Sequence, residues 1–198
     1  LGLTATPERS DGQPVLQWFD DRIAAELRLW DAIDQHRLSP FTYFGISDDT
    51  DLSGVRWIRG QGYDTTALSN VYTGDHVWVR RVIYELRLHV AEAVKALGFC
   101  ADVAHAQFMA EAFNAAGIPA VQVSGSSPDA VRDTALADLA AGRVSVVFSV
   151  DLFNEGVDLP AVDTLLLARP TQSPVLFLQQ LGRGLRKAPG KTDCLVLD

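Results

Sequence analysis

Two arginines three residues apart, Arg183 and Arg186, follow a glutamine, Gln179, in the run Gln179-Gln180-Leu181-Gly182-Arg183-Gly184-Leu185-Arg186. A guanidinium is planar, keeps its charge and grips two oxygens of one anion, so two of them on one face suit a terminal phosphate. The spacing predicts that both lie on one face of a helix starting near Ser173. Upstream, Glu155-Gly156-Val157-Asp158-Leu159-Pro160 offers a glycine that admits close backbone approach and an aspartate that can accept from a sugar hydroxyl. Its proline fixes the loop's exit. A third candidate is the turn Ser124-Gly125-Ser126-Ser127-Pro128, with Arg132 on the following helix. Hydroxyls, free amides and a helix N-terminus suit the phosphates of a nucleic-acid backbone. Taken alone, either loop also reads as an ordinary turn.

These residues need a frame to hold them. Apolar runs at 97–101, 118–124, 144–148, 164–167 and 193–197 read as strands that alternate with helices. Asp75 and Asp102 are expected helix caps. The first helix, closed by Gly98, would turn Val79, Ile83, Leu86, Val90, Val94 and Leu97 to one face, and the helix opened by Pro128 would carry Val131, Ala135 and Leu139 inward. Strands of near-continuous apolar character separated by helices predict a parallel α/β sheet with helices on both faces. Further upstream, Phe19, Ile23, Leu27, Trp30 and Ile33 recur at helical spacing and predict a helix over 15–36, followed by a strand at 41–46. Residues 47–74 are rich in Gly and Asp and read as a linker with one short helix near Ala67-Leu68. The expected organisation is therefore a tail of an upstream domain at 1–46, a linker at 47–74 and a second domain at 75–198.

Composition limits what the chain can do. A net charge of -8 argues against nonspecific electrostatic wrapping of nucleic acid and leaves binding along a local groove open. No apolar run is long enough to cross a bilayer, and no membrane partner is expected. The two cysteines, Cys100 and Cys194, stand far apart without a metal-binding pattern and read as buried thiols in a cytoplasmic protein. Asp48, Asp49 and Asp51 lack the glycine and glutamate of a calcium loop and read as a solvated turn, so no metal site is expected. Phe99 and His105 read as core residues at least as well as ligand contacts. Gly190-Lys191-Thr192 mimics the end of a phosphate-binding loop, but Leu185 stands where its first glycine belongs. A helix also precedes this segment and a strand follows, the reverse of what such a loop needs.

At the start of the chain stands Leu3-Thr4-Ala5-Thr6-Pro7-Glu8-Arg9. With Asn154 to Pro160 and Gln179 to Arg186, it completes a series that resembles motifs III, V and VI of superfamily 2 helicases, in that order. The resemblance implies a RecA-like second domain preceded by the tail of a first. It assigns Arg183 and Arg186 as arginine fingers, Gln179 as a nucleotide sensor, and Glu155, Gly156 and Asp158 as nucleotide contacts. It assigns Thr4 and Thr6 to coupling between domains, and Ser124, Gly125, Ser126 and Arg132 to the nucleic-acid track. ATP and Mg2+ would be held mainly by the first domain. No G-x-x-x-x-G-K-[ST] or D-E-x-[HD] sequence occurs here, so this chain alone is expected not to hydrolyse ATP.

Two positions depart from the commoner pattern. Val150 stands where many members carry a threonine that touches nucleic acid, leaving Ser149 as the nearby hydroxyl. Gln180 replaces an arginine of DEAD-box proteins. Both resemble the branch of restriction motors and DNA-repair helicases, which implies DNA rather than RNA as partner. The motor of a restriction or excision-repair complex and an inactive helicase-like scaffold are the alternatives.

Overall fold

The computed structural model describes residues 15–47, 50–58, 62–74, 76–90, 94–152, 158–171 and 173–198. Thr4, Thr6, Asp48, Asp49, Asp75, Glu155 and Gly156 lie outside them. Six strands form one parallel sheet in the order β1-β8-β7-β4-β6-β5. They are β1 (Phe41–Phe44), β4 (Ala96–Phe99), β5 (Ala120–Val123), β6 (Val146–Ser149), β7 (Thr164–Leu167) and β8 (Cys194–Leu197). A small antiparallel hairpin, β2 (Trp57–Ile58) with β3 (Gly62–Tyr63), stands apart from it.

Alternation along the strands sorts side chains to two faces. Ala96, Phe148, Leu166 and Leu197 join Val79, Ile83 and Leu86 of α3 (His76–His89) and Met109 and Phe113 of α4 (Val103–Ala115). Leu97, Phe99, Val147, Leu165 and Val196 join Leu139 of α5 (Asp129–Ala140) and Leu181 of α6 (Pro174–Gly184). Every residue of β4, β6 and β7 is buried, as helices on both faces require. The architecture is the RecA-like α/β fold expected from the sequence.

Several local expectations change. The predicted helix over 15–36 is replaced by a 3-10 turn at Val15–Phe19 and the short α1 (Leu29–Asp34). Asp20 and Asp21 adopt positive φ and break the chain between them, a conformation aspartate tolerates better than most residues. Trp18, Ile23 and Trp30 are more than half exposed. An apolar period specifies a helical face, but a helix is held mainly by burying that face against a partner. The strand expected to close an upstream unit is β1, and it pairs in parallel with β8. Residues 41–44 thus share a sheet with the unit expected to begin at 75.

The predicted linker contains α2 (Thr65–Gly74), longer than expected. Its Leu68 and Tyr72 are buried with Val55 and Ala101. Ser69 Oγ donates to Asp102 Oδ1 at 2.6 Å, and the same oxygen caps α4 by accepting from His105 N at 2.8 Å. On α5, Ala135 and Leu139 are buried as expected, whereas Val131 is half exposed.

His105 is fully buried, with its ring 5.2 Å from that of Tyr72 and 5.5 Å from that of Trp78. Its Nδ1 accepts from Ala101 N, which leaves the proton on Nε2. Burial lowers its pKa to about 4 against partial opposition from Asp102. The unfolded chain therefore takes up this proton first. The contribution to stability is complete above pH 6.5 and is lost as pH falls through about 4. NMR titration of the imidazole should show His105 neutral at pH 5.5; a midpoint near 6.5 would contradict the burial argument.

Gly98 on β4 lies against Phe148, where an added Cβ would sit 2.2 Å from the ring. Gly98→Ala should therefore lower stability by about 1–3 kcal/mol in urea unfolding. An unchanged midpoint would show that the ring has room to move.

Candidate functional site

All six strands point the same way, so each connection must return the chain from the C-terminal edge of the sheet to the N-terminal edge. This sorts the candidate residues into two groups. Ser124, Gly125 and Ser126 follow β5 at the C-terminal edge, and Ser149 ends β6 there. Asp158 precedes β7, while Arg183 and Arg186 precede β8, at the N-terminal edge. The connection 150–163 and helix α6 each join one edge to the other. At eleven residues, α6 spans about 16 Å.

Helix α6 begins with Ser173, whose Oγ accepts from Leu176 N, and with Pro174 in the first turn. It ends at Gly184, so Arg183 lies in its last turn and Arg186 beyond it. The sequence placed both arginines on one helical face; the helix stops short of the second. Gly184 supplies a reason. A Cβ there would lie 2.3 Å from Cys194 Sγ and 2.9 Å from Leu165, so the helix end approaches β7 and β8 with no side chain between. Beyond it the chain must turn toward β8.

The turn brings the two N-terminal-edge motifs together. Arg186 Nη1 donates to Asp158 Oδ1, and the two residues also form an ion pair. Asp158 is largely exposed and Arg186 partly so. Arg183 is only 9% exposed, at the margin of the core rather than projecting freely. Gln179 is half-buried in the middle of α6, and Gln180 is buried.

Two residues outside the sequence-based candidates organise this end. Lys191 Nζ donates to the carbonyls of Gly184, Arg186 (2.8 Å) and Val162. Ser39 N donates to Leu185 O at 2.7 Å, and Ser39 Oγ reaches Arg186 O at 3.4 Å. Burial lowers the pKa of Lys191, against partial opposition from Cys194, Asp163 and Asp193. The turn placed Lys191 before β8 as expected, but its carbonyl partners carry no residue signature. Gly190 has φ +79° and forms the turn between α6 and β8, so the segment is no phosphate loop.

At the opposite edge the 124–127 turn is compact. Ser124 N donates to Ser127 Oγ at 3.0 Å, Ser127 N donates to Ser124 O at 3.0 Å, and the hydroxyls of Ser124 and Ser126 lie 2.8 Å apart. Ser124 is buried, while Gly125 and Ser126 are exposed. Arg132 pairs with Asp129 across the first turn of α5, where a carboxylate competes with any incoming phosphate. Ser149 is fully buried, its hydroxyl has no hydrogen-bond partner among the described residues, and it does not reach the surface. A pair with no motif to mark it, Arg169 with Asp151 (2.6 Å), links the ends of β7 and β6. Asp151 has φ +50°. Both cysteines are free and buried, and burial pushes the Cys194 thiol up to about 12.

Comparison with known proteins follows the same lines. Residues 78–188 match the family described as the helicase conserved C-terminal domain. A 51.5 kDa protein of a Lactococcus phage (isolate 7-9) is 36% identical over 200 residues, which are 99% of this chain and 42% of that protein. The Saccharomyces cerevisiae protein named ATP-dependent helicase IRC3 is 29% identical over the whole chain and 29% of its own length. A Schizosaccharomyces pombe relative, 31% identical over the whole chain and 32% of its own length, is named as a mitochondrial ATP-dependent helicase. The chain thus spans less than half of each of these relatives. Among solved structures, an HsdR-like subunit of a type I restriction enzyme from Vibrio vulnificus YJ016 superposes with a TM-score of 0.75 at 22% identity. The overlap covers 98% of this chain and 38% of that one. The RNA helicase Prp28 from Chaetomium thermophilum superposes at 0.56 with 16% identity, over 81% of this chain and 32% of that one. The motif order, the all-parallel sheet and the matched span agree: this chain belongs to the helicase conserved C-terminal domain family, the second RecA-like domain of superfamily 2 helicases.

Proposed function

We propose that this chain is the C-terminal motor half of an ATP-dependent DNA helicase or translocase. In this reading Arg183 and Arg186 meet the terminal phosphate of an ATP cradled by another domain of the same protein. The observation that carries the reading is the contact of Arg186 with Asp158, which joins the two motifs at one sheet edge. Open α/β sheets ordinarily bind ligands at the C-terminal edge of their strands. These arginines lie at the other edge, beside the carbonyl end of α6, which by itself repels a phosphate. Such a place has no use as a cradle and suits a domain that delivers cations to a nucleotide held elsewhere.

Asp158 would hold Arg186 until nucleotide arrives and then turn to the ribose, with Glu155 and Gly156 beside it. Gln179 would sense the phosphate along α6, and Thr4 and Thr6 would couple the domains. Mg2+ would sit with the cradle, where it bridges the β- and γ-phosphate oxygens. A cytoplasmic compartment goes with this reading, consistent with two free, buried cysteines.

The C-terminal edge would carry the nucleic-acid track. Gly125 supports this because the fold does not require it: an added Cβ would meet nothing within 4 Å, and its backbone is not left-handed. A glycine that folding can spare, on an exposed turn between hydroxyls, leaves room for a phosphate backbone. The restriction-motor and repair-complex readings differ only in what is attached to the motor. DNA is favoured over RNA by Val150 and Gln180, as in the branch the sequence resembles.

In the complete protein, Arg186→Ala should reduce ATP turnover about a thousandfold, as expected for an arginine finger. Unchanged turnover would remove Arg186 from the reaction. Gly125→Val should weaken single-stranded DNA binding at least fivefold in fluorescence anisotropy without lowering thermal stability. Equal affinity would take the turn out of the track.

A further inference from the structure

We propose that Lys191 is a positioning residue for ATP hydrolysis: its ammonium group holds the Arg186 peptide in place and masks the carbonyl end of α6 so that a triphosphate can approach. This rests on the reading of Arg186 as a phosphate contact.

The helix end presents carbonyls that no later helical amide can satisfy. Lys191 takes that of Gly184 and, past the helix, that of Arg186, while Ser39 N takes that of the C-cap residue Leu185 between them. The third acceptor of Lys191, Val162 O, lies at the exit of the loop that carries Asp158. One cation therefore bridges the Arg186 peptide and the segment that follows Asp158. Neutral helix-capping groups would satisfy the same carbonyls without opposing their negative potential; an ammonium does both. The lysine keeps this position at a cost, because burial disfavours its charge and the nearby Asp163 and Asp193 recover part of it. Its partners are backbone atoms from two separate segments, so its loss would leave the arginine side chain intact but free its peptide to shift. Small displacements of a catalytic group, of the order of 1 Å, can cost a hundredfold in rate.

The test compares Lys191→Met, Lys191→Gln, Lys191→Arg and Arg186→Ala in the complete protein, by steady-state ATP turnover and thermal melting. Lys191→Met and Lys191→Gln should lower kcat at least tenfold with KM for ATP within twofold of the parent. Lys191→Arg, which keeps charge and donors, should stay within threefold of the parent kcat. If Lys191→Met does not fold, the ratio of Lys191→Arg to Lys191→Gln at matched melting temperature decides. A parental kcat in either neutral variant overturns the proposal. So does a loss of kcat that follows melting temperature alone across all three lysine variants. If Arg186→Ala retains parental turnover, the underlying reading fails. If Arg186→Ala is inactive while the neutral lysine variants remain fully active, only the inference about Lys191 fails.

Discussion

Helix α6 can lie against β7 and β8 at its C-terminal end only because residue 184 has no side chain. With Cys194 Sγ and the Leu165 side chain where a Cβ would stand, any other residue would push the helix end off the sheet. The contact fixes where α6 stops, and so where Arg183 and Arg186 leave it. It also brings the helix carbonyls within reach of Lys191 on the turn that follows and of Ser39 on the segment before β1. The candidate phosphate contacts therefore rest on a packing constraint in the core rather than on the flexibility of a surface loop.

The parallel sheet explains the rest of the arrangement. Because the six strands of the main sheet run the same way, the two candidate surfaces occupy opposite edges, and the crossover connections join them. Helix α6 is one, with Ser173 at the first edge and Arg183 near the second. The connection 150–163 is another, from the Asp151–Arg169 pair to the Asp158–Arg186 pair. Both ion pairs join the β6–β7 connection to a residue that follows β7 or α6. In the proposed function this geometry offers a direct route for nucleotide state to bear on nucleic-acid contact.

How much was legible in the sequence varies with how local the cause is. The β7 boundaries, the Asp102 cap and the start of α6 follow from side-chain alternation and capping chemistry, which short windows contain. Motif order assigned Asp158 and Arg186 to one nucleotide, but their direct pairing carries no signal in the sequence. The end of α6 before Arg186 was hidden because it is set by the distance from residue 184 to another strand. Lys191 was hidden for the same reason: its partners are carbonyls, which carry no residue signature. The helix expected over 15–36 failed in the opposite sense, since the period was present while Trp18, Ile23 and Trp30 stay more than half exposed among the described residues. Ser149 shows that a hydroxyl near a motif need not face solvent.

The central claim is that Arg186 exchanges Asp158 for a phosphate. The most direct measurement is a crystal structure of the complete protein with a transition-state mimic such as ADP and aluminium fluoride. The account predicts the Arg186 guanidinium within hydrogen-bond distance of the fluoride, released from Asp158, with Lys191 still on its three carbonyls. A bound mimic with Arg186 still paired to Asp158 and distant from the fluoride would contradict it.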